Sequence, residues 1–183
     1  MNEKLKSCEK YLIYFILYAM IGWIYEVFLE VVVYRWGFSN RGVLFGPYCP
    51  VYGFGALAFI FTIYPLIKNK KGWKKYAYIP LVFLGCMAIA TLIELITSYL
   101  CEAAMGYWPW QTYATSYPGT NFQGRIALSP SIRFGLGGTA FLYGLQPLFE
   151  NFTKNQSEKR LKIISICISC ILVIDMIYTF FIK

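Results

Sequence analysis

Five long apolar runs set the main constraint on this chain, because each is long enough to cross a membrane as a helix. The chain has 183 residues, of which 58% are hydrophobic and 14% are charged. A transmembrane helix needs about 20 mainly apolar residues. The sequence therefore predicts an all-α polytopic membrane helix bundle of about five transmembrane helices, forming a single integral membrane domain over residues 1–183. The predicted spans are approximately residues 11–34, 47–67, 77–102, 130–149 and 163–182.

Basic residues predict the orientation of these spans. Of the 17 lysines and arginines, 12 lie at the N-terminus or in the segments after the second and fourth runs. Lysine and arginine are enriched in cytoplasmic segments of membrane proteins. We therefore expect a multi-pass protein with a cytoplasmic N-terminus and a C-terminus outside.

The absence of histidine excludes several kinds of catalytic and metal site. The chain has no histidine, so it has no Ser-His triad and no histidine metal ligands. It also has no Walker A sequence, so it does not hydrolyse ATP through a P-loop. The net charge of +8 lies mainly in short loops, which gives no basic face for nucleic acid. We expect no enzymatic activity, no cofactor, no metal and no nucleic-acid partner.

A stretch rich in glycine, proline and aromatic residues connects the first two runs. Residues 40–55 read NRGVLFGPYCPVYGFG. Irregular backbone is tolerated at membrane depth only where protein or a water-filled cavity encloses it. We expect a bent segment on the outer side that forms part of a lid or vestibule wall, and both a re-entrant and a capping placement stay open. Its structural residues, with two from the later segment 121–138, are Asn40, Gly42, Gly46, Pro47, Pro50, Gly53, Gly55, Asn121 and Gly124.

The two parts of the chain match weakly. Four pairs align when residues 124–137 are shifted onto residues 42–55: Gly42 with Gly124, Tyr52 with Phe134, Gly53 with Gly135 and Gly55 with Gly137. Each part would be a helix–loop–helix unit running in the same direction, followed by a C-terminal helix. A two-fold internal repeat and chance matching within a biased composition both stay open.

Acidic residues inside the predicted spans are the strongest chemical signal. Glu26, Glu94 and Asp175 each lie about eight residues inside the outer end of a span, on the order of 12 Å at helical rise. A carboxylate facing lipid costs roughly 2.5–3.5 kcal/mol, so these side chains should turn inward. Outer-side arginines are suitable partners, because the guanidinium binds a carboxylate through two hydrogen bonds. The substrate- or ion-binding candidates are Glu26, Glu30, Glu94, Asp175, Arg41, Arg125 and Arg133, with Arg35 and Glu102 as further members of the charged set. The alternative is that these pairs only clamp the bundle.

The aromatic run at residues 107–113 has a plainer interpretation. It reads YWPWQTY and contains Trp108 and Trp110. Tryptophan and tyrosine are enriched at membrane–water interfaces. We interpret these residues as part of an interfacial belt.

Three motifs carry a resemblance to a known family. They are GWIYEVFLE at residues 22–30, NRGVLFGPYCPVYGFG at residues 40–55 and NFQGRIALSPSIRFGLGG at residues 121–138. With them the chain resembles the type IV ABC-transporter permeases, small bacterial membrane proteins of the CmpB-like kind. It departs from the family pattern in lacking an acid after tryptophan before Asn121, and in having Arg133-Phe134 where an aromatic residue such as tryptophan is common. The resemblance implies a bacterial cytoplasmic membrane and a separate ATP-hydrolysing subunit.

Two functions of different classes remain at this stage. The first is a permease component with an outward-facing polar cavity of carboxylates and arginines. The alternative is a non-transporting regulatory or assembly subunit that binds a lipid or another membrane protein. Membrane lipid, a separate ATP-hydrolysing subunit and a second copy of the chain are the candidate partners.

Overall fold

The fold is almost entirely helical. The computed structural model describes residues 3–182, with side chains from residue 8 onward. The termini Met1 and Lys183, whose sides of the membrane were predicted, lie outside the described residues. Helices α1 to α9 comprise Glu3–Phe28, Pro50–Thr62, Tyr64–Lys68, Trp73–Tyr76, Ile79–Met105, Tyr113–Ser116, Leu128–Ala140, Gln146–Lys154 and Glu158–Ile177. The π-helical segments Leu29–Val33, Phe141–Leu145 and Tyr178–Ile182 continue α1, α7 and α9, and the strands β1 (Asn121–Phe122) and β2 (Ile126–Ala127) pair antiparallel.

Three helical stretches have the length and apolar composition needed to cross a membrane. They are Cys8–Val33, Trp73–Met105 and Glu158–Ile182, and Pro50–Thr62 is a shorter apolar helix. Large apolar side chains on these helices are exposed in the folded chain, as expected of a surface that faces lipid. The protein is therefore a helical membrane protein. The first, third and fifth predicted spans coincide with the three long stretches.

The bent segment lies earlier in the chain than the sequence predicts. It occupies residues 34–49, and α2 begins at Pro50, so Pro50, Gly53 and Gly55 are corrected from loop to helix. Proline suits a first helical position, because its fixed φ fits the helix and its missing N–H would have no intrahelical partner there. A Cβ atom on Gly53 would lie 2.6 Å from the Phe15 ring. Glycine is therefore required there by the close approach of α2 to α1, and the backbone needs no bend at this point.

The chain forms two compact units. The first unit contains the residues up to 57 and from 148 onward, and the second contains residues 58–147. In the first unit α1 packs against α9, and in the second α5 packs against α7. The predicted single-domain organisation stays a prediction.

Each unit has its own core. In the first, Ala19, Leu44 and Tyr48 form a buried apolar cluster, so the bent segment contributes to the packing of α1. In the second, Val82 and Cys86 on α5 are completely buried. A Cβ atom on Gly135 of α7 would lie 2.8 Å from the Phe83 ring of α5. These two cores fix the helices on which the charged residues lie.

Candidate functional site

Glu30 holds the start of the bent segment in the first unit. It lies in the π-helical segment after α1 and is 6% exposed. Its carboxylate accepts hydrogen bonds from the Ser39 hydroxyl at 2.6 Å and the Ser39 N–H at 3.2 Å. Arg41 Nη2 forms an ion pair with Glu30 Oε1 at 2.8 Å. The expected pairing of an outer arginine with an intramembrane acid is therefore present at Arg41 and Glu30.

Asp175 holds the end of the same segment. The backbone N–H groups of Phe45 and Gly46 donate to its two carboxylate oxygens at 3.0 and 2.9 Å. The hydroxyl of Tyr48 also donates to Asp175, and Thr179 Oγ1 donates at 3.1 Å. Burial, with the hydrogen bond to Asp175, raises the pKa of Tyr48. Four donors thus satisfy a carboxylate that is 9% exposed.

Glu26 and Asn40 make further polar contacts in the first unit. The Tyr52 hydroxyl donates to Glu26 Oε1. Trp23 Nε1 donates to Asn40 Oδ1 at 2.8 Å, and Asn40 Nδ2 donates to the Phe45 carbonyl at 2.7 Å. Asn40 therefore connects the bent segment to α1 through Trp23 and also forms a hydrogen bond within the segment.

Cys49 lies at the end of the bent segment, and its side chain is closed off from solvent. Its backbone N–H donates to the Ala19 carbonyl at 2.9 Å, and the residue is 3% exposed. Burial and, to a lesser extent, the negative charge of Glu26 raise the pKa of the Cys49 thiol to about 12, while Arg41 acts in the opposite direction. The thiol is therefore protonated at neutral pH.

Arg125 is the central charged residue of the second unit. Its guanidinium lies between two aromatic rings, 4.0 Å from the centre of the Tyr99 ring and 4.1 Å from that of Trp108. It donates to Ser98 Oγ at 3.3 Å and forms an ion pair with Glu102. Arg125 is 7% exposed, whereas the Glu102 side chain is 43% exposed. The pair therefore has a buried cation and an accessible carboxylate.

A tight hairpin positions Arg125. Between β1 and β2, Gln123 and Gly124 have positive φ angles of 53° and 66°. Asn121 Oδ1 accepts the Gly124 N–H at 2.9 Å, so this asparagine closes the turn through its side chain. Trp108 Nε1 donates to the Gly124 carbonyl at 3.1 Å and Trp110 Nε1 to the Arg125 carbonyl at 2.8 Å. Trp108 and Trp110 therefore hold the hairpin, and their place in an interfacial belt stays a prediction.

Glu94 and Arg133 each contact a tyrosine hydroxyl. Tyr113 donates to Glu94 Oε1 at 3.0 Å, and Glu94 is 7% exposed. Arg133 Nη2 donates to the hydroxyl of Tyr117. All seven leading candidates thus lie in defined contacts, but they divide between the units. Glu26, Glu30, Arg41 and Asp175 lie in the first, and Glu94, Arg125 and Arg133 lie in the second.

Sequence reasoning missed the aromatic and hydroxyl partners of these charges. Tyr48, Tyr52 and Tyr113 donate to three of the four candidate acids, and Ser39 donates to the fourth. The one available signal was the density of tyrosine in and next to the two connecting segments. Among the described residues, no group of three or more His, Cys, Asp or Glu side chains is arranged to hold a metal ion.

Comparison with known families assigns the chain. The family model described as "Putative ABC-transporter type IV" matches residues 13–180. The protein belongs to this family. The match spans both units and every candidate residue of this type IV ABC-transporter protein. No curated protein and no solved structure matches the chain.

Proposed function

We propose that the protein is the permease-like membrane component of an ABC-type transporter and works with a separate ATP-hydrolysing subunit. The observation that carries the proposal is the family match over residues 13–180. The bacterial cytoplasmic membrane is the location that the family resemblance implies. The distribution of basic residues supports an orientation with the N-terminus inside and the C-terminus outside. No enzymatic reaction of this chain itself forms part of the proposal.

The proposed topology has five spans. Three are the long apolar stretches, and α2 followed by α3 provides a fourth. The fifth is the uninterrupted helical stretch of α7, its π-helical segment and α8, which covers residues 128–154. Together α7 and α8 are long enough to cross a bilayer at the rise of an α-helix.

The proposed internal repeat is supported by matching contacts in the two units. Gly53 contacts Phe15 in the first, and Gly135 contacts Phe83 in the second. Glu26 follows Phe15 by 11 residues, and Glu94 follows Phe83 by 11 residues. Each of these glutamates accepts a hydrogen bond from a tyrosine hydroxyl. The same helix register and the same type of carboxylate contact therefore recur in both units.

We place the proposed polar contact with substrate at Glu102 and Arg125. Glu102 was not among the seven leading candidates. Its carboxylate is exposed, whereas the guanidinium of its partner Arg125 is held between the rings of Tyr99 and Trp108. A substrate cation can approach Glu102, and a substrate anion can compete with Glu102 for Arg125. The remaining candidates would hold the connecting segment of their own unit in place. They are Glu26, Glu30, Arg41 and Asp175 in the first unit, and Glu94 and Arg133 in the second.

Purification from native membranes in mild detergent tests this function. A nucleotide-hydrolysing subunit should co-purify, and its ATPase rate should change when Glu102→Gln is introduced. Glu102→Asp, which keeps the charge, should preserve more of the rate than Glu102→Gln. A stable assembly without any ATPase would contradict the permease proposal.

The complete hydrogen bonding of the Asp175 carboxylate favours a second candidate function. Four donors from its own unit occupy this carboxylate, which is the arrangement of a structural clamp. Under this alternative the protein is a non-transporting regulatory or assembly subunit that binds a lipid or another membrane protein. It predicts a stable assembly without ATPase and no solute flux in liposomes.

A further inference from the structure

A shallow groove in the second unit has an unusual combination of lining residues. It encloses about 260 Å³ and lies at the start of α7. Its lining residues are Thr120, Leu128, Ser129, Ile132 and Arg133. The apolar members are open to the surroundings, since Leu128 is 54% exposed and Ile132 is 38% exposed. The groove therefore has a mainly apolar surface, and its lining residues include one arginine and two residues that carry hydroxyl groups.

We propose that this groove binds one anionic phospholipid, with its phosphate on Arg133 and an acyl chain along Leu128 and Ile132. Arginine binds phosphate oxygens in a bidentate manner, and none of the five lining residues is acidic. The hydroxyl groups of Thr120 and Ser129 can donate to the same phosphate. An amphipathic groove on a membrane protein thus matches both parts of the lipid in charge and polarity.

The size of the groove supports a lipid over a transported solute. Small-molecule sites typically enclose about 300–1,000 Å³ and bury most of the ligand. This groove is smaller and open, so it can hold a phosphate and part of one chain while the rest of the lipid stays in the bilayer. The inference depends on the membrane location and not on the transport proposal.

Arg133 is also held in place within its own unit. Its Nη2 donates to the Tyr117 hydroxyl, which restricts the side chain before a lipid binds. A fixed side chain loses less conformational entropy on binding. Tyr117 is therefore a positioning residue, and its removal should affect the groove less than removal of Arg133.

Lipid-dependent thermal unfolding of the full chain in a non-ionic detergent tests the proposal. Added phosphatidylglycerol should raise the unfolding temperature, whereas phosphatidylcholine and soluble glycerol 3-phosphate should not. Arg133→Gln should weaken the apparent affinity for phosphatidylglycerol about tenfold, the effect expected for loss of one charge-assisted hydrogen bond. Arg133→Lys and Tyr117→Phe should keep most of the response.

A matched control distinguishes lipid binding at the groove from a general effect of positive charge on the protein surface. Arg160→Gln removes one exposed arginine from α9 and should leave the response to phosphatidylglycerol unchanged. If Arg133→Gln does not fold, Ile132→Trp provides a second test, because it fills the groove from an exposed position and should also weaken the response. An equal response in wild type and both groove variants, or an equal effect of glycerol 3-phosphate, would overturn the proposal.

Discussion

The two units differ in the sign of the buried charge that contacts their connecting segment. In the first unit a buried carboxylate, Asp175, receives four hydrogen bonds from the bent segment and its own helix. In the second unit a buried cation, Arg125, lies between Tyr99 and Trp108, and its partner Glu102 is half-exposed. The first arrangement satisfies its charge internally. The second leaves a carboxylate accessible, which is why we assign the polar substrate contact to the second unit.

The largest expected effect is at Asp175. Asp175→Ala leaves the N–H groups of Phe45 and Gly46 and the hydroxyl of Tyr48 without their acceptor. We expect the free energy of unfolding in detergent to fall by about 3 kcal/mol or more, since each lost bond leaves a desolvated donor. Asp175→Asn, which keeps one acceptor oxygen, should be intermediate.

Glu102→Gln is the matched variant in the second unit. Because the Glu102 side chain is 43% exposed, the free energy of unfolding should fall by about 1 kcal/mol at most. Equal losses for Asp175→Ala and Glu102→Gln in the same denaturation experiment would remove the distinction between the two units.

The second-largest effect is at Arg125. Arg125→Gln removes both the ion pair and the contact with two aromatic faces, so the free energy of unfolding should fall by about 2 kcal/mol. Arg125→Lys should recover part of the loss, because lysine keeps the charge but not the planar group. Arg41→Gln, at a side chain that is 32% exposed, should cost less than Arg125→Gln. The reverse order in chemical denaturation would show that the first unit has the stronger ion pair.

A glycine series tests whether the two units share a helix register. Gly53→Ala and Gly135→Ala should each lower the free energy of unfolding by about 1 kcal/mol or more, because the new methyl group meets an aromatic ring. Gly55→Ala and Gly137→Ala are matched controls with nothing within 4 Å of the new methyl group. Both controls should be neutral or stabilising by up to about 1 kcal/mol. A different pattern in the two units would contradict the internal repeat.

The smallest effect concerns the reactivity of Cys49. The pKa of the Cys49 thiol is about 12 in the folded protein, against an ordinary value of 9.0. The folded protein therefore binds the thiol proton more tightly than the unfolded chain does. That stabilisation is complete below pH 9 and is lost as the pH rises toward 12. In variants that keep one cysteine, maleimide should label Cys49 much more slowly than the exposed Cys8 between pH 7 and 9. Equal rates would show that the bent segment is open.

The apolar runs and the charged residues of the sequence predicted a large part of the fold and some of the site. The apolar runs located the three long helices, and the cost of charge in lipid indicated that Glu94 and Asp175 would turn inward, where both are buried. The charge pattern predicted that arginines would pair with acids of the spans without saying which, and Arg41 with Glu30 is one such pair. These inferences succeeded because each depends on distance along one helix or on charge alone.

The remaining contacts depend on how distant segments meet. Asp175 binds Phe45 and Gly46 across 130 and 129 positions of sequence, and no periodicity predicts such a contact. Pro50 and Gly53 looked like loop residues, yet a helix accepts the first at its start and close packing requires the second. Trp108 was interpreted from composition, whereas its role depends on the hairpin that brings Arg125 to its ring.

The most direct test of the account is ATP hydrolysis by the assembly purified from native membranes and reconstituted in liposomes. Glu26→Gln and Glu94→Gln should each alter the ATPase rate of the associated subunit in the same direction, because the proposed internal repeat gives them corresponding positions in the two units. Cys170→Ser, at an exposed position on α9, should leave the rate unchanged. An assembly that contains no ATPase, or rates unaffected by both glutamate variants, would contradict the account of a permease built from two related units.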